Sequence, residues 1–83
     1  MNNSENIEKK LKKIFVETFN IKDKEININS SMKNIDKWDS LNHIGLINSI
    51  EQVFDLSFKD EEVINMTNFK KIIIKIKQYK KDK

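Results

Sequence analysis

Trp38-Asp39-Ser40-Leu41-Asn42-His43-Ile44-Gly45-Leu46-Ile47-Asn48-Ser49-Ile50-Glu51-Gln52-Val53-Phe54 is the longest amphipathic run in the chain. Leu41, Ile44, Ile47, Ile50 or Glu51, and Phe54 recur at helical spacing, while Leu46, Ile50 and Val53 widen the stripe. The spacing predicts a helix buried over well over a third of its circumference. Asp39 or Ser40 opens it, since both are residue types that start helices. Gly45 interrupts the run at a cost of about 1 kcal/mol relative to Ala. It lies beside Leu41 and Asn42 on the helix surface, and permits either close helix packing or a shallow place for a partner or a bound group.

Upstream, Ile7, Leu11, Ile14, Phe15, Thr18 and Phe19 fall on one side of a segment opened by Ser4-Glu5, with Lys9, Lys10, Lys12 and Lys13 opposite. This pattern predicts a first helix over about residues 4–19 whose lysines form a solvated face. From Asn20 to Lys37 the period fails. Loop formers (Asn20, Asn27, Asn29, Ser30, Ser31, Asn34) alternate with Ile21, Ile26, Ile28, Met32 and Ile35, which are too apolar for a free linker. The segment reads as an ordered loop pinned to the core. Ile26-Asn27-Ile28-Asn29 has the period of a short strand, but a lone strand would leave its backbone groups without partners.

Downstream, Leu56 and Phe58 anchor a short connector, and Asp60-Glu61-Glu62 supplies negative charge suited to the start of a short helix over about residues 60–65. Thr67 is a good cap for a last helix in which Phe69, Ile72, Ile73, Ile76 and Tyr79 share a face. Lys70, Lys71, Lys75, Lys77 and Lys80 form its wet side, and Lys80 to Lys83 should fray. The fold class is therefore all-α: a small antiparallel bundle of three main helices plus one short helix, with a long first loop.

With 83 residues the chain allows one domain, residues 1–83, with an ordered core at about 4–79. At this size only about 60% of the unfolded surface is buried, which disfavours a large internal active site. The absence of cysteine excludes disulfides and thiolate metal sites and fits a reducing cytoplasm. No segment approaches the roughly 18 apolar residues of a membrane span. Charge is unevenly spread. Residues 1–35 carry seven Lys against five acids (+2), residues 36–66 two against seven (−5), and residues 67–83 seven against one (+6). Such asymmetry bears on partners and association rates rather than on fold.

Little in the chain supports autonomous chemistry. His43 is the only histidine, with no Cys or second His at metal-ligand spacing. Three residues after Ser40 it could act as a base, but a hydrolase would also need an orienting acid and an oxyanion hole, and the chain has a single Gly. His43 reads as a surface residue beside the serine. Trp38, the only tryptophan, reads either as the cover of a small core or as an interface anchor. No aromatic ladder accompanies the lysines, so nucleic acid is not an expected partner.

From Asp39 to Phe54 the sequence resembles the modification site and second helix of acyl carrier proteins. The likeness extends over roughly residues 7 to 79 and is most specific at Asp39-Ser40-Leu41, Glu51, Phe54 and Asp60-Glu61-Glu62. It implies that a separate transferase, using Mg2+ and coenzyme A, attaches 4'-phosphopantetheine to Ser40. The arm's thiol would then hold an acyl or aminoacyl group as a thioester. In that reading Asp39 assists recognition or metal placement, Leu41 contacts the transferase or pathway enzymes, and the chain is a cytoplasmic, monomeric carrier rather than an enzyme. Acyl- or aminoacyl-loading and acyl-transfer enzymes would be its other partners. Trp38, Glu51, Asp55, Glu61 and Glu62 would form the docking face. Asn42, Gly45 and Asn48 stand where fatty-acid carriers are acidic, so a specialised biosynthetic pathway fits at least as well as fatty acid synthesis. The alternative from the basic ends is a helical protein- or nucleic-acid-interaction module without a prosthetic group.

Overall fold

The computed structural model describes residues 3–81. It holds four helices: α1 (Asn3–Phe19), α2 (Ser40–Phe54), α3 (Asp60–Asn65) and α4 (Phe69–Lys81). Among the described residues there is no strand, and the all-α bundle expected from the spacing is the fold observed. None of these helices is long and apolar enough to cross a membrane.

The core follows from the periodicities. Ile7, Leu11, Ile14, Phe15 and Phe19 of α1 meet Leu46, Ile47, Ile50 and Phe54 of α2 and Phe69, Ile72, Ile73 and Ile76 of α4 in one buried cluster. Phe15 sits at its centre, edge-on to Phe19, Trp38 and Phe69 at centroid distances of 5.5, 5.1 and 5.2 Å. Edge-to-face packing at these distances adds to the burial itself.

After α1 the chain turns at Asn20, whose φ of 53° is the left-handed conformation that Asn tolerates well at a helix end. The long loop is ordered, as its apolar residues require. Ile26, Ile35 and Trp38 are buried in the core. Ile26-Asn27-Ile28-Asn29 forms no strand: the Ser30 N–H donates to the Asn27 carbonyl, the Asn27 N–H donates to Ser30 Oγ, and Ile28 is left exposed. The loop instead makes a single antiparallel bridge, Ser31 to Asn68, in which Phe69 N–H donates to the Ser30 carbonyl (2.8 Å) and Met32 N–H to the Thr67 carbonyl (3.1 Å).

That bridge also moves the start of the last helix. Thr67 is not the cap; Asn68 Oδ1 accepts the Lys71 N–H at 2.7 Å, so Asn68 caps α4 and Phe69 is its first residue. The helix does not fray at Lys80: α4 runs to Lys81, and the Lys80 ammonium donates to the Phe54 carbonyl at the end of α2. Asp82 and Lys83, also expected to fray, lie outside the described residues.

Candidate functional site

Asp39 resolves which residue opens α2. Its backbone is extended (φ −107°, ψ −178°), and its Oδ1 accepts the Asn42 N–H at 2.8 Å, so Asp39 is the cap and Ser40 the first helical residue. Asn42 Nδ2 donates to the Lys37 carbonyl at 2.7 Å, which fixes the entry of the chain into the helix. Ser40 is thereby exposed, and its hydroxyl is not needed as a cap. The N–H groups of the first helical turn point outward from the same end, and at this position Ser40 and Leu41 have no intrahelical acceptor.

Beneath this turn lie two residues whose environments differ from expectation. Trp38 is only 1% exposed and packs on Phe15 and Phe19, so it belongs to the core and not to a docking face. His43 is 7% exposed and is not the surface residue anticipated. The Trp38 indole N–H donates to His43 Nδ1 at 2.9 Å. An indole nitrogen can only donate, so Nδ1 carries no proton and the neutral ring holds it on Nε2. Nε2–H in turn donates to the Val63 carbonyl of α3 at 2.8 Å. With both nitrogens engaged, His43 is no base for Ser40.

The burial of His43 marks a rotation of α2 relative to the simple apolar stripe. Leu41 (79% exposed), Ile44 (58%) and Val53 (49%) face solvent. Counting back from Phe54 through Ile50, Ile47 and Leu46 reaches His43, and that phase was the signal available in the sequence. Ile44 and Ile47 of α2 instead line a groove of about 640 Å³ between α2 and α3, together with Val63 and Ile64 of α3, Phe58 and Ser40. Gly45 sits beside it on the exposed surface of α2. A Cβ added there would meet nothing within 4 Å, so close helix packing does not explain the glycine.

The acidic residues divide into two groups. Glu51 accepts the Phe58 N–H at 2.9 Å and closes the turn after α2, where Asp55 adopts a left-handed conformation (φ 54°) and stays exposed. Glu62 accepts the Lys59 N–H at 2.9 Å and the Tyr79 hydroxyl, and pairs with Lys75 at 3.3 Å. These contacts tie α3 to α4. The Tyr79 hydroxyl, then the Lys59 N–H and Lys75, hold the Glu62 carboxyl below its ordinary pKa, while the carboxylate pushes the Tyr79 hydroxyl above its own. Asp60 and Glu61 are exposed.

No protein-family model matches the chain. Curated relatives do, among them three acyl carrier proteins. It is 35% identical over 75 residues to an acyl carrier protein of Buchnera aphidicola subsp. Baizongia pistaciae, covering 90% of this chain and 96% of the relative. To that of Buchnera aphidicola subsp. Schizaphis graminum it is 38% identical over 68 residues, covering 82% and 86%. To that of Coprothermobacter proteolyticus it is 33% identical over 69 residues, covering 83% and 84%. Relatives of this similarity, matched along nearly their whole length and joined to a bundle that exposes a serine at the head of its second helix, establish that the chain belongs to the acyl carrier protein family.

Proposed function

We propose that this chain carries an acyl or aminoacyl group as a thioester on a 4'-phosphopantetheine arm attached to Ser40. The observation that supports this most is the exposed Ser40 at the first residue of α2, in the lining of a largely apolar groove. The other serines with described side chains fit less well. Ser30 is buried with Oγ bonded to the Asn27 N–H, Ser31 Oγ accepts from Lys33 N–H, Ser49 is half-buried in mid-helix, and Ser57 lies in a connector without a helix start.

The surroundings of Ser40 suit such a group. The unpaired first-turn N–H groups and the positive end of the helix dipole tolerate a phosphodiester. Leu41 and Ile44 offer exposed apolar surface next to it. When attached, the arm supplies the thiol that the chain lacks. The protein's own part is to present Ser40 rigidly, through the Asp39 cap and the Asn42–Lys37 bond, to a phosphopantetheinyl transferase and then to loading and acyl-transfer enzymes. It acts as a monomeric cytoplasmic carrier over one domain and not as an enzyme, in fatty acid synthesis or a specialised pathway. The interaction-module alternative has no support among its relatives.

Incubation with coenzyme A, Mg2+ and a broad-specificity transferase should raise the intact mass by one phosphopantetheinyl group. Ser40→Ala should abolish the gain while the helical circular dichroism is retained. A folded wild-type chain that stays unmodified with several transferases, or a folded mutant that is still loaded, would overturn the assignment.

A further inference from the structure

α3 has six residues and no buried side chain, and its one large aliphatic beyond Val63, Ile64, is 72% exposed. A helix this short has no independent stability. Apart from Val63, which packs against the core, it is held by polar ties: Glu62 to Tyr79 and Lys75 on α4, and the Val63 carbonyl to His43 on α2. The second tie is the one on the groove side, three residues after Ser40, and it works only in one protonation state. Nδ1 must be bare to accept the Trp38 N–H.

We propose that His43 is a positioning residue that fixes α3 against α2 beside Ser40, and that proton uptake by the imidazole releases it. A proton on Nδ1 would set two N–H donors against each other where one hydrogen bond now stands. Trp38 cannot yield, because Phe15 and Phe19 pack on its ring with centroids 5.1 and 5.8 Å away. His43 lies in the groove wall and can yield. The titratable groups that share the groove lining with it are Glu51, farther along α2, and Asp60 on α3, with Asp39 one turn before it. Met32, Phe58 and Thr67, from the connecting segments, bring no charge. A displaced imidazolium would leave the Val63 carbonyl and free α3 to move away from α2.

The test needs neither coenzyme A nor a transferase, so its failure and that of the Ser40 assignment are separate events. Trp38 is the only tryptophan, and its fluorescence and its indole N–H resonance report on the bond to His43 directly. On lowering the pH of the unmodified protein from about 8 to about 5, the range in which histidine commonly titrates, both signals should change. Amide protection in Asp60–Asn65, corrected for intrinsic exchange, should fall on the order of tenfold in step, with α1 and α4 unaffected. His43→Asn keeps an acceptor for Trp38 but not the reach to Val63, and should show the low α3 protection at every pH. His43→Gln retains a donor for Val63 and cannot titrate, and should keep protection high and flat. Wild-type α3 protection that stays flat while Trp38 reports the titration would overturn the proposal. So would a His43 that takes up no proton before global unfolding, and the wild-type titration decides the matter even if a variant does not fold.

Discussion

Asp39 and Ser40 are adjacent, both polar and both able to start a helix, yet they do different work. The Asp39 carboxylate accepts the Asn42 N–H, whereas Ser40 sits one residue inside α2 with its hydroxyl facing solvent. Removing a cap of this type costs about 0.5–2 kcal/mol, while exposed substitutions that break no such contact usually stay within about 0.5 kcal/mol. Asp39→Ala should therefore lower the urea midpoint clearly, Asp39→Asn should restore most of the loss, and Ser40→Ala should leave it nearly unchanged. If Ser40→Ala were as costly as Asp39→Ala, the serine would be the cap and its hydroxyl would not be free for modification. The same division keeps the loss of loading in Ser40→Ala interpretable, because it separates the site from the support of the helix.

Helix α2 illustrates what the sequence discloses and what it withholds. Its extent was legible, because a polar start signal, an apolar period and an acidic turn after Phe54 delimit it. Its rotation is not captured by an apolar count, which includes Leu41 and Ile44 and passes over His43, whose burial depends on Trp38, just before the helix, and on Val63 of α3. The candidate site at Ser40 was legible for the same local reason as the helix start. The groove was not, since α3 contributes half of it through tertiary contacts. Gly45 now has a definite expectation. It is helical, has no positive φ, and an added methyl would enter open space. Gly45→Ala should stabilise by about 1 kcal/mol through helix propensity and reduced unfolded-state freedom, which for a domain of this size raises Tm by roughly 4–8 °C. A melt showing no gain would mean that the helix is not the dominant state at that turn. A gain in stability accompanied by weaker binding of pathway enzymes would instead show that the glycine is kept for a partner's approach.

Across the whole molecule, charge is segregated, and the fold decides which charges are available. The sequence exposes the pattern, acidic in the middle third and basic at the ends. It does not reveal that Glu51 and Glu62 are committed to internal hydrogen bonds, because their partners Phe58, Lys59, Tyr79 and Lys75 become neighbours only on folding. Of the four acids expected on the docking face, that leaves Asp55 and Glu61, both exposed, to carry the proposed steering toward basic enzyme surfaces. Exposed charges at the rim of an interface act mainly on association rates, and salt screens them. Reversing Asp55 and Glu61 to Lys should slow association with the transferase at low salt by roughly tenfold in stopped-flow measurements. The difference should shrink as salt is added, with the melting curve unchanged. Glu62→Lys should behave differently, since it breaks the α3–α4 tie and brings a second cation to Lys75, so stability should fall along with the rate. An association rate indifferent to the Asp55 and Glu61 reversals at low salt would place the docking face elsewhere on the molecule.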